Sequence, residues 1–317
     1  MKKQPGPLSE ENAAIITSAI EHLQENDQHL PAEKLNYEMW LKEFSGIQDF
    51  LEDVGLQNND VFNKKLAAEG ERLDLIIFEH MTLSLVLTPF ADLNTITRKD
   101  QGDSSKVLLF FTMMLNNGIN SLLSLKTLLS MGMDFQARVI LRNYIETMEL
   151  AMAILLNEQF FNFYMKDPKG KKEEKARWDK TRPSEVARII SAAAEKDEPL
   201  KEMWNLGKAI RDHLYDNSSK AVHAVSVAVF VGANPSLIDS DKAGAGLGGH
   251  ISNGTRSTLN NAFQYGGFCL HFLQKILQYA HGIDVSALPK GDHYAFISDI
   301  NKLLWLHIMH NLSIRGS

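Results

Sequence analysis

ARVILRNYIETMEL, residues 137–150, reads as a helix that can lie only in the middle of other helices. On a wheel turning about 100° per residue, Ala137, Leu141, Tyr144 and Met148 share one face, which Ala151 and Leu155 continue. Val139, Ile140, Leu150 and Ile154 carry apolarity round the other side. Arg138, Arg142, Glu146 and Glu149 are left in a sector of roughly 80°. A helix apolar over most of its circumference must be surrounded, so the spacing predicts an all-α fold with this segment in a central helical core. The charged sector is then either a narrow solvent-facing stripe or an enclosed site. On a wet surface an Arg142–Glu146 pair stabilises by only about 0.3–0.5 kcal/mol. Enclosure would instead demand a partner group or an anionic ligand, because unpaired buried charge is costly.

Outward from this segment the pattern stays helical. Residues 134 to 164 form one long stretch, broken near Asn157. Ser104 or Ser105 can cap a helix from 106 to about 131, and Gly132 with Asp134 marks a tight connection. The longest apolar runs, residues 76–90 and 107–133, are interrupted by Glu79, His80, Asn116, Asn117, Asn120 and Lys126. Neither supplies roughly 20 clean apolar residues, so both read as core helices and no membrane contact is expected. A helix over 60–88 ends near Pro89, preceded by one over 33–54 and by a first helix with Ser9 as its cap. The polar segment LNTITRKDQGDSS, 93–105, reads as a linker. The expected domains are therefore an N-terminal helical subdomain, 1–100, and a core with C-terminal helices, 101–317.

KDPKGKKEEKARWDKTRP, 166–183, reads as a solvated mixed-charge connection, followed by helices at about 184–195 and from 199. VHAVSVAVFVG, 222–232, alternates like a strand. With no second strand to pair, continuing the helix satisfies its backbone more economically. GAGLGG, 244–249, lacks the Gly-Lys-Ser/Thr of a phosphate loop and any strand-helix-strand context, so it reads as a surface loop. Two further helices are expected at about 255–281 and 291–312.

Composition narrows the function classes. With 317 residues and 44% hydrophobic content the chain can build a core without staples. A net charge of -6 argues against wrapping by nucleic acid through bulk electrostatics. The one cysteine, Cys269, sits in an apolar helical pattern and reads as a buried structural thiol. Polar residues and proline follow Lys2 and Lys3 where a secretory signal would be apolar, so the expected location is cytoplasmic. His307 and His310 lack a third ligand, and no zinc, nucleotide or disulfide-exchange motif is present, so neither metal nor cofactor is expected. Trp40, Trp178, Trp204 and Trp305 read as core or helix-contact residues.

A second polar row accompanies the first. Arg211, Tyr215, Ser219 and His223 recur every four residues and would share one side of a helix. The row joins a guanidinium, a phenol, a hydroxyl and an imidazole. Imidazole exchanges protons near neutral pH, and the arginine or hydroxyl can hold a phosphate.

At Ala137, Arg138, Arg142 and Glu146, then Tyr215, Ser219 and His223, residues 134–225 resemble a prokaryotic family of all-helical proteins. That family is itself distantly similar to the HEPN helical bundles, many of them dimeric, metal-independent ribonucleases. The resemblance implies a homodimer acting on RNA. His223 would be general acid/base with Arg142 and Tyr215 as its catalytic partners. Arg138, Glu146, Ser219 and Arg211 would hold the substrate. The chain departs from the ribonuclease pattern in having no Arg four to six residues before a His on one helix. Arg138 or Arg142 would have to take that place in space. The alternative expectation is a non-catalytic module that binds a small anionic ligand or a partner protein through the same pocket.

Overall fold

The computed structural model describes residues 52–88, 103–222 and 249–285, with Ala14, Thr17 and Ser18; at 103–104 and 216–222 it describes the backbone alone. Among these residues every regular element is a helix and none is a strand. The protein is all-α. In chain order the helices are α1 (Ala67–Leu87), α2 (Asp103–Ser130), α3 (Asp134–Leu156), α4 (Glu158–Met165), α5 (Lys171–Lys180), α6 (Pro183–Ala194), α7 (Glu198–Val222) and α8 (Asn253–His281). The chain divides into two compact units after Asp60, and these eight helices belong to the second. Residues 52–60 of the first unit and 61–65 of the second are also helical, ahead of α1.

α3 is the hub, packed against α2, α6, α7 and α8. Ala137, Leu141, Tyr144, Met148 and Ala151 are all buried, as the wheel requires, and burial becomes complete around the helix from Ala151 to Leu155. α1 lies against α2 and α8 in the same core, which begins at Phe62 and runs to Val285. The expected linker, 93–105, lies largely outside the described residues. The division after Asp60 therefore sets the helix ending at Leu87 with the central bundle.

Local chemistry accounts for most helix ends. The break expected near Asn157 is present, and the Asn157 side chain caps α4 by accepting from the Phe160 amide at 2.9 Å. Pro183 opens α6, where its missing N–H costs nothing. Ser252 and Thr255 form a reciprocal capping box at the start of α8, and left-handed Gly282 closes it. The described part of α2 starts at Asp103, which places Ser104 and Ser105 within the helix. Residues 171–180, expected within a solvated connection, form α5, a helix with no buried residue. Glu173 accepts from the Lys169 amide at 2.7 Å at its start, and acidic residues in the first turn with Arg177 and Lys180 in the last complement the helix dipole.

Two glycines seat the loops. Gly132, at φ +76°, and Gly249, at φ +92°, press backbone to backbone, and the His250 amide donates to the Gly132 carbonyl at 3.0 Å. A Cβ at either position would collide with backbone atoms, which cannot swing aside.

The core is aromatic and partly polar. Trp204 stacks on Phe272, which stacks on Phe268. Cys269 is fully buried, as expected, within hydrogen-bond reach of Tyr144 and Tyr265. Trp178 is not a core residue, since it is 63% exposed, and it carries the guanidinium of Arg182, the residue that precedes α6, 4.1 Å above its ring. The Ser105–Ser130 segment is long and apolar enough to cross a membrane, yet 61% of its most apolar window is buried in the bundle.

Candidate functional site

Arg142 and Glu146 stand one turn apart on α3, and Tyr215 reaches them from α7. Arg142 Nε donates to Glu146 Oε1 at 2.8 Å, and Arg142 Nη2 donates to the Tyr215 hydroxyl at 2.8 Å. The Tyr215 hydroxyl in turn donates to Glu146 Oε1 at 2.9 Å. Three of the expected site residues thus form a closed triangle across two helices. Burial pulls the Arg142 guanidinium down, but Glu146 and Tyr215 outweigh it and hold the pKa above its ordinary value. The Tyr215 phenol is raised by burial and by the Glu146 carboxylate.

Arg211 also approaches the Tyr215 ring. Its Cζ stands 5.0 Å from the ring centroid, and Arg142 Cζ stands 4.7 Å from it. The guanidinium is anchored elsewhere: Nε donates to Glu149 Oε1 at 2.7 Å, Nη1 to Asp212 at 2.8 Å, and Nη2 to the Pro183 carbonyl at 3.3 Å. These bonds tie α3, α7 and the start of α6 together. Arg138 is drawn the other way, into a 2.6 Å ion pair with Asp134, whose second oxygen accepts from Thr258 of α8. The structure therefore brings Arg142, Glu146, Tyr215 and Arg211 together and leaves Arg138 at a separate junction. Ser219 is placed only by its backbone on α7, and His223 lies outside the described residues.

Glu149 is the residue that reading the rows as a site passed over. It is completely buried, accepts from Arg211 and from the Tyr265 hydroxyl on Oε1, and leaves Oε2 without a partner among the described residues. Burial pushes its pKa up to about 7, against the pull of Arg211 and Tyr265. The signal was available: Glu146 and Glu149 at i, i+3 face Tyr215 and Arg211 at i, i+4.

Glu146 also faces outward. Beside the triangle lies a cleft of about 740 Å³ bounded by α2, α3, α4 and α5, and Glu146 is on its wall. Phe110, Met114, Leu150, Tyr164 and Trp178 supply apolar surface, while Asn117, Asn143 and Thr147 supply hydrogen-bonding groups. Glu174 and Arg177 of α5 complete the charged lining. No group of three or more His, Cys, Asp or Glu among the described residues is arranged to hold a metal ion.

No protein-family model matches the chain, and comparison with curated proteins and with solved structures likewise finds no match.

Proposed function

We propose that the protein is a non-catalytic helical binding module that takes a small ligand in the cleft beside Glu146. The observation that carries this reading is the double role of Glu146. Its Oε1 fastens the triangle with Arg142 and Tyr215, while the same side chain lines a cleft of about 740 Å³. A cleft of this volume, mostly apolar with a few convergent polar groups, has the proportions of a small-molecule site. The arginines argue in the same direction. Arg142 is bound to a carboxylate and a phenol, and Arg211 to two carboxylates and a carbonyl. A phosphate would have to displace those partners and leave buried Glu149 without its countercharge.

The ribonuclease reading, with its RNA substrate and homodimer, has one observation in its favour. Arg142 and Tyr215 meet across α3 and α7, as joint chemistry with His223 would require. Labelled RNA incubated with the wild-type protein and with His223→Ala separates the two readings. Absence of turnover by either protein is the expected result. Cleavage by the wild type that His223→Ala abolishes would replace the binding module with the nuclease.

A further inference from the structure

The charges on the cleft wall specify more than a cavity. We propose that the cleft recognises a zwitterion of dipeptide size with apolar side chains. In this arrangement Arg177 takes the carboxylate, and Glu174 with Glu146 takes the ammonium. The inference rests on the reading of the cleft as a ligand site and names the ligand class.

Three charged side chains line the cleft, two carboxylates and one guanidinium. Glu174 and Arg177 lie three residues apart on α5, where such pairs ordinarily meet. Here neither side chain forms an ion pair with the other or with any other described residue. Arg177 is instead laid over the Tyr164 ring, with Cζ 4.9 Å from the centroid. That contact holds the guanidinium against the wall while leaving its N–H groups unspent on an acceptor. Glu146 uses Oε1 for Arg142 and Tyr215, and its Oε2 has no hydrogen-bond partner among the described residues.

A purely anionic ligand would meet two carboxylates, and a purely cationic one would meet Arg177. A molecule carrying both charges satisfies both sets, and each charge-assisted hydrogen bond is worth more than a neutral one. Phe110, Met114, Leu150, Tyr164 and Trp178 then cover an apolar body, and Asn117, Asn143 and Thr147 are placed to pair with a peptide amide. Polyanions such as nucleic acid are disfavoured by the same carboxylates.

The test is calorimetric titration of the full chain with leucyl-leucine, its N-acetyl derivative and its C-terminal amide. The zwitterion should bind about tenfold tighter than either derivative, the factor expected from losing one charge-assisted hydrogen bond. Arg177→Ala should erase the preference over the amide, and Glu174→Gln should narrow the preference over the N-acetyl form. Both substitutions fall on a helix with no buried residue, so the core should fold as in the wild type, and circular dichroism of Arg177→Ala checks that α5 is retained. Equal binding of all three peptides, or binding of none, overturns the zwitterion assignment. A neutral fluorescent probe, N-phenyl-1-naphthylamine, then distinguishes the two levels. Uptake of the probe that Asn143→Trp blocks would leave the cleft standing as a ligand site while the assignment falls. No uptake would remove both.

Discussion

Both carboxylate oxygens of Glu79 lie buried on α1 without a hydrogen-bond partner among the described residues, and the residue is 1% exposed. Burial pushes its pKa from 4.5 up to about 8, so the folded protein carries a neutral acid at pH 7. Because the folded value is raised, the stability it confers is fully present below about pH 4.5 and is lost as pH rises through about 8. Next to it, burial lowers the His80 pKa to about 4, against the hydrogen bond to the Ile76 carbonyl. That carbonyl can only accept, so Nδ1 carries the proton and Nε2 accepts from the Tyr144 hydroxyl at 2.8 Å. Glu79→Gln should leave the urea midpoint nearly unchanged at pH 5. At pH 8.5 it should raise stability by a few kcal/mol, on the order set by the size of the shift. Equal effects at both pH values would show that Glu79 is already ionised and solvated. Nothing in the composition of the 76–90 segment separates a buried Glu79 from an exposed one, since that depends on the helix facing it.

At the scale of elements, the bundle is held by close approaches as much as by large side chains. α7 crosses α8 at Gly207, where an added Cβ would run into the Phe268 ring. Helix propensity alone predicts that Gly207→Ala would stabilise by about 1 kcal/mol. Overpacking a filled contact costs about 1–3 kcal/mol, and the Phe268 ring is itself stacked on Phe272 and cannot retreat cheaply. Gly207→Ala should therefore lower the urea midpoint. Gly55→Ala, at a helical position with nothing within 4 Å, should raise it slightly. A rise at Gly207 would contradict the α7–α8 packing. Much at this scale was legible in advance. The hub face of α3, the stop before Pro89, the break at Asn157 and the helix ending at His281 all follow from short-range chemistry. α5 was missed because it buries no residue and is held on α4 by Lys180 lying over Phe163 and by Arg177 lying over Tyr164. Neither leaves an apolar period in the sequence.

Across the whole molecule, one core joins α1, α2, α3, α4, α6, α7 and α8, and α5 rests on its outside. Native-state hydrogen exchange should show amides at Leu73, Met148 and Leu273 opening in one common, slowest event. Amides of α5 should exchange far faster through local opening. Slow exchange in α5 equal to that of the core would mean it is part of the cooperative unit. Separate rates for the three core positions would mean the bundle unfolds in pieces.

The residue pattern was enough to establish an all-helical chain, a central helix apolar nearly all round, and two polar rows at four-residue spacing. Periodicity and capping act over a few residues and are written locally. Which members of the rows meet was settled by packing: Arg142 and Glu146 with Tyr215, Arg211 with Glu149, Arg138 with Asp134. Helix crossings place residues 62 to 73 positions apart within hydrogen-bond reach, and no local spacing encodes such a crossing. The cleft has the same origin, because a space between four helices belongs to none of them.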